Sequence, residues 1–195
     1  MPGVLSEGSY HDYIPEGWRL RNESHLHHEA WAILRALQQF YNVSPSPTGI
    51  IAGTIRDELT SPPYYFGPAT PDKNSPINGA TVTLMPSGRS VVTDNLNNGF
   101  FMFDSLPPGN YDVIAGDMAD FYNDTVTAVV NPGMTTIADL LPSFDTARVP
   151  VVTERLPSTT DSLPFNQTFT FKFNVPMNML AVQSALVFEP EVSVI

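Results

Sequence analysis

The sequence predicts a mainly β protein with a central antiparallel β-sandwich. A strand–loop–helix segment of α/β character precedes the sandwich, and part of a second sandwich follows it. Three observations predict this. Residues 48–142 are a series of short apolar runs separated by Gly, Pro, Asn and Asp. The 195-residue chain carries 19 prolines and 12 glycines, the punctuation of turns rather than of a helical bundle. Helical spacing of apolar residues is sustained in one stretch, near the N-terminus.

The charge balance narrows the partners. Nine Lys and Arg stand against 20 Asp and Glu, a formal net charge of -11. Phosphate backbones and anionic lipid surfaces need a basic face, so nucleic acid and membrane surfaces are not expected partners. No apolar run approaches the length of a membrane span. The opening residues Met1-Pro2-Gly3 lack the basic and apolar regions of a signal peptide. The sequence contains no cysteine, which removes disulfide and thiol chemistry without fixing a compartment.

Residues 1–42 form the first block. An apolar run, Pro2 to Leu5, ends in Glu7 and leads through "GSYHDY" into a helix predicted from Ser24 to Tyr41. Leu26, Ala30, Ile33, Leu34, Leu37 and Tyr41 give that helix one apolar stripe, expected to be its buried face. Asn22 or Ser24 is suited to cap its start, and Pro45 and Pro47 end it in a linker, residues 43–47. One strand and one helix cannot close a core, so this block reads as the end of a larger α/β domain.

Residues 48–142 hold about seven strands, a number that fits one small sandwich. Alternation is plain in Tyr111, Val113 and Ala115 and in Val126, Ala128 and Val130. Residues 57–76 interrupt the strands as a long loop containing Tyr64, Tyr65 and Phe66, aromatics suited to a sugar or partner surface or to packing over the sandwich edge. "DNLNNG", residues 94–99, has Leu96 and Ser105 where a calcium loop needs oxygen ligands, and is read as a hairpin turn. In residues 148–195, Phe169, Phe171 and Phe173 occupy one strand face and Thr170, Lys172 and Asn174 the other. "VVTERLP" and "SALVFEPEVSVI" are read as further strands.

Each block carries a resemblance. "GIIAGTIRD", "PINGATVTL" and "TDNLNNGFFMFDSLPPGNYDV", in that order, resemble the carboxypeptidase regulatory-like, prealbumin-related sandwich, whose relatives use it as a folding aid, spacer or binding module. The run Phe169–Asn174 followed by "VPMN" resembles the first half of a bacterial immunoglobulin-like domain. Pro2, Val4, Leu5 and Glu7, then "GSYHDY" and the helix, resemble the end of the zinc-dependent N-acetylmuramoyl-L-alanine amidase domain. That resemblance implies that Glu7 is the catalytic carboxylate beside a zinc ion, with the metal ligands upstream and none expected in this chain. It also implies a secreted or envelope enzyme acting on peptidoglycan. Zinc carboxypeptidases, which also end in a strand-borne glutamate and a helix before a regulatory sandwich, are the alternative. A non-enzymatic surface-binding protein is the third reading.

All four histidines lie in the first 28 residues. His11, in the loop after Glu7, is the candidate for a substrate contact or a loop-stabilising hydrogen bond. His25 and His28 are one helical turn apart, a spacing that suits a shared metal or a pair of surface residues. The tripeptides 104–106, 124–126, 145–147 and 161–163 resemble an O-glycosylation motif of some bacterial envelope proteins, and turn chemistry explains them equally well.

Overall fold

The computed structural model describes residues 5, 8–158, 163–164 and 166–187. It divides into two compact units, Met1–Asp145 and Thr146–Ile195. It is mainly β, with several antiparallel sheets.

The first unit opens with a short helix α1 (Ile14–Arg19), which starts at a proline-bearing first turn. Helix α2 (Glu23–Phe40) follows at once, capped by Asn22, whose side chain accepts from His25 N at 2.9 Å. It ends where Asn42 takes a positive φ of 55°, with Asn42 N bonded to Gln39 O and Val43 N to Gln38 O. That pair of bonds satisfies carbonyls a helix end otherwise leaves open.

Nine strands come next: β1 (Gly49–Thr54), β2 (Arg56–Asp57), β3 (Ser75–Pro76), β4 (Thr81–Met85), β5 (Arg89–Val92), β6 (Phe100–Leu106), β7 (Gly109–Gly116), β8 (Asp124–Val130) and β9 (Thr135–Ile137). One sheet has the order β6-β1-β9, with β9 parallel to β1. The other, β5-β4-β7-β8, is antiparallel throughout. Their facing sides share one core: Ile51, Phe101 and Phe103 meet Val82, Leu84, Val113, Ala115, Ala128 and Val130. The alternation in residues 111–115 and 126–130 points into this core.

Strand β1 explains why "GIIA" is apolar without interruption. Ile51 faces the shared core, whereas Ile50 and Ala52 face the other way, with Phe100, Met102 and Trp31 of α2. A strand covered on both faces reads as a continuous apolar run. Helix α2 thus makes a third layer on the three-stranded sheet. Gly53 keeps that sheet tight, since a Cβ there would lie 2.2 Å from Ala138 O. At Gly99 the backbone has φ +61°, and a Cβ would meet Ile55 O at 2.4 Å.

Residues 94–99 are a correction to the hairpin expectation. They carry the chain from β5 in one sheet to β6 in the other. Asp94 holds the crossing by accepting from Leu96 N and Asn98 Nδ2.

In the second unit, β10 (Val152–Leu156) and β11 (Thr170–Phe173) pair antiparallel. Phe171 and Phe173 are half-buried and Thr170 and Lys172 exposed, as the alternation requires, but the pattern stops at the strand's ends, where Phe169 is exposed and Asn174 half-buried. Met179–Ala185 form a helix, α3, capped by Asn178, where Ser184 and Ala185 were expected to begin a strand. The rest of that expected strand, beyond Val187, lies outside the described residues.

Candidate functional site

The segment expected to hold catalytic residues leads into α1. Glu7 lies outside the described residues. Leu5, its neighbour in the apolar run, is exposed and in no regular element. His11 is exposed on the turn before α1. That turn is closed by Glu16, whose carboxylate accepts from Tyr10 N, and Ser9 donates to Glu29 Oε1 at 3.2 Å.

Beside this turn the long loop between β2 and β3 folds back onto α1. The junction is ionic and buried. Asp72, in a single 3-10 turn (Pro71–Lys73), receives Arg19 through two nitrogens, at 2.8 and 3.3 Å. It also receives Arg56 Nη2 at 2.9 Å and the Tyr13 hydroxyl at 3.2 Å. Arg56 spends its other donors on Asn74 O and Thr54 Oγ1. Tyr13 Oη in turn accepts from Gly67 N at 2.9 Å. Burial alone would push the Asp72 carboxyl up; the Arg19 hydrogen bond and charge, the Arg56 charge and the Tyr13 hydroxyl outweigh it and hold the group below its ordinary value. Burial pulls the Arg56 guanidinium down, and the Asp72 charge opposes that pull.

Aromatic contacts extend the junction. Trp18 and Tyr64 meet edge to face with ring centroids 4.9 Å apart, and Tyr13 and Tyr65 do so at 6.5 Å. Tyr65 is otherwise exposed, whereas burial of Tyr64 pushes its phenol up. The loop aromatics therefore divide between packing and display.

The second contact between helix and sandwich lies along α2. His25 meets Phe100 edge to face at 5.2 Å, His28 lies tilted against it at 6.1 Å, and His28 Nε2 is 3.1 Å from Thr135 Oγ1. Asn22 Nδ2 reaches Asp94 Oδ2 at 2.6 Å. Here the helix reverses the expectation about its faces. The side carrying His25, His28 and Trp31 meets the sheet. The predicted stripe, Leu26, Ala30, Ile33, Leu34, Leu37 and Tyr41, is turned to solvent, and no residue of α2 is fully buried.

Burial lowers both histidines from their ordinary value near 6.5, against an opposing pull from Glu29. For His25, the nearby Arg19 and His28 charges add to the lowering, and Glu16 opposes it. A lowered histidine binds its proton more readily in the unfolded chain, so this packing contributes in full above pH 6.5 and is lost progressively as pH falls below it. Thermal unfolding should show a lower midpoint at pH 5.5 than at pH 7.5. Replacing both histidines with leucine should flatten that difference; an unchanged pH dependence would show that other groups cause it.

Among the described residues, no three His, Asp or Glu side chains come together as a metal site. No described helix is long and apolar enough to cross a membrane. The Asp72 cluster carried no sequence signal, because residues 13, 19, 56 and 72 share no spacing pattern and Asp72 is one of three acidic residues in the proline-rich stretch 57–76. The chain matches no family model, and a search of curated proteins found no match.

Proposed function

We propose that this chain is the C-terminal part of a secreted zinc-dependent N-acetylmuramoyl-L-alanine amidase, acting on peptidoglycan of the bacterial envelope. The regulatory-like sandwich and the immunoglobulin-like segment are its accessory domains. The motif Pro2, Val4, Leu5, Glu7 and "GSYHDY" before the helix supports the assignment. The observation that carries it is the outward face of α2. An apolar stripe of Leu26, Ile33, Leu34 and Leu37, each between 44% and 50% exposed, suits a helix whose opposite side is already occupied and whose stripe closes the core of a larger domain.

In this reading Glu7 is the general base. It takes a proton from the attacking water as oxygen adds to the amide carbon. It returns the proton to the L-alanine nitrogen as the carbon–nitrogen bond breaks, releasing the lactyl-muramic carboxyl and a free amine. The described residues do not by themselves fit a zinc centre; it is the resemblance to the amidase family that assigns the ligands to upstream residues of the parent protein.

The parent protein, supplied with zinc and muropeptides, should release peptides with a free L-alanine amino terminus, detectable by mass spectrometry. The 195-residue chain alone should release none. A second reading, a zinc carboxypeptidase tail, is favoured by the helix leading directly into a regulatory-like sandwich. Loss of single C-terminal residues from the peptide stem would select it. Absence of both products from the zinc-loaded parent would leave the chain a non-enzymatic surface module.

A further inference from the structure

The junction between α1 and the long loop contains a groove of about 280 Å³. Trp18 and Tyr64, packed edge to face at 86°, supply the aromatic part of its lining. Pro62, Pro63 and Pro76 complete the apolar lining, and Ser75 and Asn97 stand at its rim. Asn97 uses its oxygen to accept from Asn78 at 2.7 Å. Among the described residues, no protein hydrogen bond is made by the Asn97 amide nitrogen, the Ser75 hydroxyl, the Tyr64 hydroxyl or the Trp18 indole N–H. Four of the seven lining residues, Trp18, Tyr64, Ser75 and Asn97, thus carry a polar group free of protein hydrogen bonds among the described residues.

From this we infer that the groove binds a neutral sugar ring of a glycan chain. A pyranose has apolar C–H faces for the two rings and a rim of hydroxyls for the four polar groups, the mixed lining typical of small-ligand sites. No ionised side chain lines the groove, although the protein carries a net charge of -11. The charges nearest the groove, Asp72 with Arg19 and Arg56 behind Tyr64, are paired with one another, so the lining itself offers an uncharged ligand its best match. The volume lies at the lower edge of ligand sites, enough for one ring. A proline-rich peptide presents its anchors about 9 Å apart along an extended helix and needs adjoining pockets, which a single groove does not supply. The inference stands on the groove alone and holds whether or not the parent protein cleaves peptidoglycan.

The test is a titration of the intact, zinc-free chain, labelled with ¹⁵N, with chitohexaose and with cellohexaose. The chain has two tryptophans, so two indole signals are assigned by one Trp31→Phe variant. The Trp18 signal should shift on addition of either oligosaccharide at millimolar concentration, while that of Trp31, on the sheet-facing side of α2, stays in place. Tyr64→Ser should weaken binding by about tenfold, the loss of one aromatic ring. No Trp18 response to either sugar would overturn the inference, as would unaltered affinity in a folded Tyr64→Ser chain. A Trp18 shift produced by a proline-rich peptide and by neither sugar would assign the groove to a peptide instead. Should Tyr64→Ser fail to fold, the response of Trp18 against Trp31 in the wild-type chain decides alone.

Discussion

Replacing Asp72 with alanine should destabilise the first unit by about 3–5 kcal/mol, the cost of leaving buried charges without their partner. The Asp72 and Arg56 side chains are each 5% exposed, and Arg19 is 17% exposed. Removing the carboxylate would strand two guanidinium groups next to each other and free the Tyr13 hydroxyl. Arg19→Met should cost less, because the Arg56–Asp72 pair would survive it. Equilibrium urea unfolding measures both changes. The same carboxylate should be visible in acid. Its pKa lies below the ordinary value of 3.8, so its contribution is present above that pH and disappears as pH falls through the lowered value. The Asp72→Ala chain should therefore lose less stability than wild type on acidification. A destabilisation under about 1 kcal/mol, the range of exposed pairs, would mean the cluster is solvated and contributes little.

Much of the sandwich was legible because its signals are local. A strand buried on one face alternates, and residues 111–115 and 126–130 do so. A helix start needs an oxygen acceptor, and Asn22 supplies it. The orientation of α2 was not legible for a definite reason. Apolar spacing identifies a face but not what covers it, and the sandwich is met by histidines, a tryptophan and an asparagine cap rather than by the leucines. Ser184 and Ala185, expected to begin a strand, instead end the helix Met179–Ala185, because a short apolar run suits either element and Asn178 capping Ala181 N decides locally for the helix. The Asp72 cluster was illegible because its partners lie 16 and 53 residues away in sequence. The glycines also divide. Gly99 is required by a positive φ and a close backbone approach, whereas a Cβ at Gly109 would make ordinary contact with the Tyr111 ring at 3.8 Å.

Under the proposed amidase function, Glu7→Gln in the parent protein should reduce kcat by about 10²–10⁴-fold, the contribution of a positioned general acid–base group. Glutamine keeps the length and a carbonyl oxygen but cannot take the water proton or deliver it to the departing amine. Substrate affinity should change far less than turnover, because the group acts on a proton that moves only during reaction. Metal content should be retained, since the proposal makes Glu7 the base and places the zinc ligands upstream. Three quantities are thus read from one variant: bound zinc by elemental analysis, KM, and the rate of release of L-alanine-terminated peptides from muropeptides. Full zinc, a near-normal KM and a turnover lowered by at least a hundredfold are expected. Near-normal turnover in the zinc-loaded Glu7→Gln enzyme would contradict it.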